Sequence, residues 1–291
     1  MSERVQVCLG GVELSVAGRG IDLYLDPQHQ RFASRGDAEV RLMWRCGWPP
    51  AWPKLDEVFD SGDFWRLGTC QDQYVISYRT PVPSDGLPSK AVFIDRTFER
   101  GTVYLHPECK PPTGRVNPLS DRLDELLVMH RLACGLGVLF HACCVYWEGR
   151  GMLFLGHSGA GKSTLARLWA RCQPDAEILS DECTVVRKEG HQYFAYGTPW
   201  HGTAECALPI KRPLSEVYII EHAAREFTAP VHGALMAGEV LARAFIPHWI
   251  RSAVEFSVGF LSQMLSEIRC RRFGFRRRDG AVEFLCDLNQ G

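Results

Sequence analysis

The chain has 291 residues, 46% of them hydrophobic and 23% charged, with a formal charge of −1. That is enough chain for a full core and for two domains, with the composition of a soluble globular protein rather than a disordered or fibrous one. A near-zero net charge provides no global field toward nucleic acid or an anionic membrane, so any basic site must be local.

The start, Met1-Ser2-Glu3-Arg4-Val5, lacks a basic region followed by a long apolar stretch. No uninterrupted apolar run approaches the roughly 20 residues of a membrane span, so no membrane association and a cytoplasmic location are expected. The 12 cysteines are scattered, without a C-x-x-C pair or zinc-ligand spacing, and read as reduced small hydrophobes. Cys143 and Cys144 are adjacent, and adjacent positions on a strand point to opposite faces.

Residues 1–110 read as β-rich. Val5–Leu9 and Val12–Val16 flank Gly10-Gly11 as a hairpin. Short strands follow at Trp65–Gly68, Tyr74–Tyr78, Ala91–Ile94 and Thr102–Leu105. Trp48-Pro49-Pro50-Ala51-Trp52-Pro53 reads as a loop and Lys110-Pro111-Pro112-Thr113-Gly114 as a linker. The expected domains are therefore 1–115, β-rich and suited to acceptor or partner binding, and 116–291.

Leu119–Leu136 has near-helical apolar spacing, with Ser120 or Asp121 as a cap. Val138–Tyr146 reads as a strand, and Gly149-Arg150-Gly151 turns it into a second, Gly151–Leu155. That pair should be an antiparallel hairpin, where a Rossmann-like order would have a helical crossover.

The next segment carries the chemistry. Gly156-His157-Ser158-Gly159-Ala160-Gly161-Lys162-Ser163 matches G-x-x-x-x-G-K-[ST], between an apolar strand and the helix starting at Thr164. Such a loop places main-chain N–H groups and a helix N-terminus around a polyphosphate. Gly156, Ser158, Gly159, Ala160, Gly161, Lys162, Ser163 and Thr164 are the candidate nucleotide-binding residues. Lys162 reaches the β- and γ-phosphates, and Ser163 offers its hydroxyl to Mg²⁺. Ala176–Asp181 reads as a strand ending in an acid. Asp181 and Glu182 follow Lys162 by about twenty residues, where an acid that holds or orients Mg²⁺ is expected, with a turn acid as the plainer reading of each. His141, one strand upstream, is either a contact to the transferred phosphoryl group or a satisfied core histidine.

Further strands read at Cys183–Arg187, Gln192–Tyr196 and Glu216–Glu221, and residues 232–269 read as helical. His201 and Glu205 follow the loop Gly197-Thr198-Pro199-Trp200 and are acceptor-pocket candidates or plain loop polars. Lys211-Arg212 are a phosphate cation pair or a solvated turn. Arg269, Arg271, Arg272, Arg276, Arg277 and Arg278 surround Phe273-Gly274-Phe275. They read as a charged strand edge by default, otherwise as a site for an acidic peptide, a neighbouring subunit's phosphate or stacked bases.

Phe140-His141-Ala142, the glycine-rich loop through Leu165, and Leu179-Ser180-Asp181-Glu182 together resemble the HPr kinase/phosphorylase group, related in turn to phosphoenolpyruvate carboxykinase. The resemblance spans roughly residues 138–221. It implies an α/β fold, a phosphoenolpyruvate carboxykinase-like P-loop mixed sheet with flanking helices, after a small β-rich N-terminal domain. It also implies an ATP- and Mg²⁺-dependent kinase acting on a hydroxyl of a small molecule or of a peptide or protein serine. His141, Lys162, Asp181 and Glu182 take the catalytic places, with Ser163 and Asp181 at the metal; Asp181 is also the expected base toward the hydroxyl. Two features depart from the family: Glu182 stands where the bacterial HPr enzymes have Asp, and the N-terminal region is unlike theirs, so HPr itself is not the expected target. The rival reading is a nucleotide-binding regulatory or accessory protein of a biosynthetic gene cluster, with little transfer. A carboxykinase-like decarboxylase lacks a convincing set of further basic and metal-ligand residues. Nucleic acid is disfavoured as a partner, and a homo-oligomer is left open.

Overall fold

The computed structural model describes residues 4–49 and 51–288. Met1–Glu3 at the start and Pro50 in the proline-rich loop lie outside them. The chain forms two compact units. The first runs to Arg131, and the second runs from Leu132 and takes in the turn Leu9–Gly11.

In the first unit the elements are β1 (Arg4–Leu9), β2 (Val12–Arg19), β3 (Asp22–Leu23), the one-turn α1 (Pro27–Gln30), β4 (Val40–Cys46), β5 (Asp56–Asp60), β6 (Trp65–Cys70), β7 (Gln73–Tyr78), β8 (Lys90–Asp95), β9 (Arg100–Leu105), β10 (Arg115–Val116) and α2 (Leu123–Leu132). Eight of the strands form one sheet in the order β1-β2-β4-β9-β8-β7-β6-β5. Both β2 with β4 and β4 with β9 run parallel; β5 to β9 form an antiparallel meander. Alternation sets the faces: Val40, Leu42 and Trp44 are buried, while Arg41 is exposed and Met43 and Arg45 are half-buried.

The helix expected to open the second domain belongs to the first unit. His130 of α2 stacks on Phe98 with centroids 4.4 Å apart, and Asp124 bonds His29 at 2.8 Å. Local periodicity marks a helix but not the sheet it covers, so the linker-like 110–114 is followed by one more element of the same unit.

The second unit contains β11 (Gly137–Trp147), β12 (Arg150–Leu155), α3 (Lys162–Cys172), β13 (Glu177–Ser180), β14 (Cys183–Glu189), β15 (Gln192–Tyr196), β16 (Lys211–Pro213), β17 (Glu216–His222), β18 (Phe227–Pro230), α4 (Gly233–Leu241), β19 (Ala244–Phe245), α5 (Arg251–Glu267), β20 (Arg269–Phe275) and α6 (Gly280–Asp287). The architecture is mixed α/β. The sheet runs β16-β15-β14-β11-β12-β17-β20-β18, with β13 and β19 also pairing β11. β11 and β12 form the expected antiparallel hairpin, with Ala142 opposite Leu155. β12, β17 and β20 are parallel to one another.

Its central strands are buried on both faces, which explains their near-continuous apolar runs. Phe140, Ala142, Cys144, Leu153, Leu155, Val217 and Ile219 pack with Phe260, Leu261 and Met264 of α5. Cys143, Val145, Met152, Phe154, Tyr218 and Ile220 pack with Leu165 and Trp169 of α3 and Val282 and Leu285 of α6. Cys143 and Cys144 thus serve opposite faces as small hydrophobes. Five of the twelve cysteines are buried, while Cys46 and Cys134 are exposed. The stretch 232–269 is two helices broken by β19, because Ala244–Phe245 pairs Leu139–Phe140 of β11. No helix among the described residues is long and apolar enough to cross a membrane.

Candidate functional site

Topology brings the residues together. The carboxyl ends of parallel β12, β17 and β20 lie on one edge of the sheet, where a βα loop places a helix N-terminus. β12 ends at Leu155, residues 156–161 turn, and Lys162 opens α3 from Gly161, whose φ is +106°. That left-handed cap suits glycine, and a Cβ there would also meet Phe275 Cζ at 3.0 Å. Gly156 is needed for a different reason: a Cβ would lie 2.8 Å from both Ala160 Cβ and Ile220 Cγ1.

Antiparallel pairing delivers the rest. Ala142 faces Leu155, so His141 stands just past the end of β12, and Cys183 of β14 faces His141. The β13–β14 turn therefore holds Asp181 and Glu182 beside the loop. Ser180 Oγ accepts from the Cys183 amide at 3.1 Å to close that turn, and Ala142 N donates to Glu182 O at 2.8 Å. A cavity of about 380 Å³ results, lined by Ser158, Gly159, Gly161–Thr164, His141, Asp181, Glu182, Thr203 and Arg277.

Lys162 is buried, and its Nζ donates to Gly156 O at 3.0 Å and His157 O at 3.3 Å. The same Nζ lies 2.8 Å from His141 Nε2. Burial, then the charges of Lys162 and Arg243, hold the imidazole down to about 4 against one opposing main-chain hydrogen bond, so near neutral pH it is uncharged and its Nε2 accepts from the ammonium. Burial also lowers Lys162, with Glu182 opposing. His141 is thus not a bare core histidine: its Nε2 takes a hydrogen bond from the loop lysine.

Asp181 is fully buried. Its oxygens accept from the main-chain amides of Gly202 at 2.9 Å, Ala204 at 3.0 Å and Cys206 at 3.3 Å. Those bonds fold the 199–206 loop over the acid, and Arg167 of α3 holds the loop through Thr203 O and Oγ1. Three oxygens converge beneath it. The point where a Cβ on Gly202 would sit is 2.7 Å from Asp181 Oδ2, 2.7 Å from Glu182 Oε2 and 2.8 Å from Ser163 Oγ. Two carboxylates and a hydroxyl fit a hard divalent cation that keeps several of its waters.

Sequence reasoning did not place several participants at this loop. Arg277 Nη2 donates to Gly159 O at 3.0 Å and lies 2.6 Å from His222 Nε2, which itself lies 3.1 Å from Gly159 O. Gly202 and Thr203 form the cover, and Arg243 O accepts from His141 N at 2.8 Å. None of these belongs to a local motif.

The surrounding basic segment corrects two expectations. β20 is an interior strand between β17 and β18, not an edge. Phe273 and Phe275 are 0% exposed and cannot stack on bases. Arg272 pairs with Glu221 at 2.5 Å and Arg276 with Glu226 at 2.6 Å, with Arg278 3.6 Å from the same Glu226, so only Arg277 of the run lines the cavity. Lys211 and Arg212 do not reach the loop; they pair with Glu189 and Glu177 at 2.6 and 2.5 Å. His201 and Glu205 are exposed and do not line the cavity.

No family model matches the chain, and no curated protein does. Among solved structures, the chain is similar to the Hpr(Ser) kinase/phosphatase from Coxiella burnetii at 11% identity. The match covers 52% of this chain and 95% of that one, with a TM-score of 0.31, a level that bears on neither mechanism nor substrate.

Proposed function

We propose that the protein is an ATP- and Mg²⁺-dependent phosphotransferase that moves a γ-phosphoryl group to a hydroxyl of a small molecule or of a peptide or protein serine. On this reading the second unit is an HPr kinase-like domain with a phosphoenolpyruvate carboxykinase-like P-loop. The observation that carries it is the convergence, in one cavity, of the loop amides, Lys162, Ser163, Asp181 and Glu182.

Catalysis of this class is mainly positioning and charge stabilisation. The loop amides hold the donor's phosphate oxygens, and Lys162 reaches them by giving up one of its three partners, Gly156 O, His157 O or His141 Nε2. The acceptor oxygen forms a bond to the γ-phosphorus as the bond to the β-phosphate oxygen breaks, leaving ADP. The proton released by the hydroxyl needs a carboxylate. Asp181 has its oxygens committed to three main-chain amides, so Glu182, half-buried and lining the cavity, is the better placed base. Ser163 and Asp181, whose Oδ2 accepts only one of those three amides, are the residues that would hold Mg²⁺, which would supply charge neutralisation on the phosphates, with Glu182 beside them as the base. Arg277 and His222 brace the loop at Gly159.

The test is transfer of label from γ-³²P-ATP to candidate alcohols and serine peptides, run beside calorimetry with and without Mg²⁺. Magnesium-dependent nucleotide binding with labelled acceptor supports the reading. Failure of well-folded protein to bind any purine nucleotide refutes it, and binding without transfer leaves the accessory-protein role instead.

A further inference from the structure

We infer that the first unit carries an anion-reading groove on its eight-stranded sheet, built to take a short acidic peptide segment. A cavity of about 660 Å³ lies on that sheet, walled by Arg4 of β1, Arg41 of β4 and Arg100 of β9, with Gln6, Ser15 and Thr102 between them. Ser15, Arg41 and Arg100 are cross-strand neighbours in one row, and Ala17, Met43 and Thr102 form the next.

Like charges directly opposite each other on neighbouring strands destabilise a sheet. Arg41 and Arg100 occupy such a pair, and all three arginines are exposed. Among the described residues none of the three guanidiniums is in an ion pair or a side-chain hydrogen bond, although ion pairs are common elsewhere in the unit, such as Arg66–Asp60 at 2.9 Å and Arg131–Glu99 at 3.1 Å. The carboxylates nearby are otherwise employed. Glu13 takes Ser34 Oγ at 2.7 Å and Gln6 Nε2 at 3.2 Å, and Asp95 accepts from the main-chain amides of Glu99 and Arg100 at 2.9 and 2.8 Å. Asp37 stands on the wall but pairs with none of the three. A repulsive row whose guanidiniums form no ion pair, with only the unpaired Asp37 on the wall, is a local conflict that a bound anion resolves, and guanidinium forks match carboxylates two bonds at a time.

The occupant follows from size and lining. A cavity of this volume accommodates a ligand of several groups rather than one small anion. Its floor between the cations is Ala17 and the half-buried Met43, so the ligand's charges are spaced by small apolar groups. No aromatic side chain lines it, so base stacking, the main sequence-tolerant affinity for single-stranded nucleic acid, has no platform. Carboxylates carried on an extended peptide fit both conditions.

The test uses the full chain, fluorescence anisotropy and a fluorescein-labelled peptide of alternating Glu and Ala. We expect saturable binding whose affinity falls with added salt, as charge pairing requires. Arg41→Gln/Arg100→Gln should lose at least about tenfold, and Thr102→Glu, which adds a repelling carboxylate to the same wall, should lose a comparable amount. Lys162→Ala should bind the peptide like the wild type, which separates this groove from the phosphate loop. Absent or salt-insensitive peptide binding overturns the inference, as does undiminished binding by folded variants. An oligothymidylate that binds as tightly and is lost in the same variants overturns it in favour of nucleic acid.

Discussion

Gly202→Ala is the sharpest probe of the proposed nucleotide site, because the added methyl would point at the three converging oxygens. The new Cβ would lie 2.7–2.8 Å from Asp181 Oδ2, Glu182 Oε2 and Ser163 Oγ, where ordinary contact begins near 3.4 Å, so about 0.7 Å of movement is required. Gly202 is not among the glycines with left-handed backbone, so steric crowding rather than φ strain dominates. Overpacking of this kind costs about 1–3 kcal/mol. The reduced entropy of the unfolded chain offsets about 0.4–1 kcal/mol of it. At about 2–4 °C per kcal/mol for a unit of this size, Tm should fall by roughly 0–10 °C. The functional effect should be larger, since a displacement approaching 1 Å at a reacting centre can cost about 10²-fold. The assay compares nucleotide affinity with Mg²⁺ and with chelator, alongside kcat. We expect the magnesium-dependent increment to shrink and kcat to fall about 10–100-fold, with metal-free nucleotide affinity kept. A folded Gly202→Ala protein with wild-type magnesium dependence would show that these oxygens do not meet at a metal.

Lys162→Ala should lower kcat by about 10²–10³, the usual cost of one charge-stabilising donor, in phosphoryl-transfer assays on protein with an unchanged circular-dichroism spectrum. Asp181→Asn should abolish transfer and also loosen the 199–206 loop, because an amide NH₂ would face a main-chain N–H; about 1.5–3 kcal/mol per lost charged hydrogen bond should appear as a lower Tm. Glu182→Gln removes no observed hydrogen bond, so it should lose transfer while nearly keeping Tm, and full activity in that variant would exclude Glu182 as base. His130 is 1% exposed, with burial pushing it to about 4 despite its hydrogen bond to Leu126 O. The unfolded state therefore takes up the proton first, and stability present above pH about 6.5 should be lost as pH falls toward 4, by about 3 kcal/mol in all at 1.36 kcal/mol per unit. Urea titrations of wild type and His130→Gln should differ in slope over that window; identical pH dependences would refute the assignment. His141, also held near 4 in the ligand-free protein, should contribute no inflection to the kcat/KM profile between about pH 6 and 8, and an inflection there that disappears in His141→Gln would contradict its neutral state.

What could be read from the chain alone was local. The strand, glycine turn and helix around Lys162 are contiguous, so spacing and residue type reveal the glycine-rich βα loop, and the apolar runs at Val138–Tyr146 and Gly151–Leu155 reveal the hairpin that carries His141 to it. The acids at Asp181 and Glu182 were visible as the end of a short strand. What those side chains touch was not visible, because it depends on register and on loops distant in sequence. Asp181 is capped by amides 21–25 residues further on, and Gly202 is what sits over the oxygens. Arg277 looked like one of six similar cations until ion pairs with Glu221 and Glu226 removed its neighbours from consideration. The row of Arg41 and Arg100 has no sequence signature at all, since 59 positions separate two residues that parallel pairing makes adjacent. Sequence spacing encodes contacts made within one turn or one hairpin; strand order and burial decide which distant charges meet, and those meetings carry the chemistry.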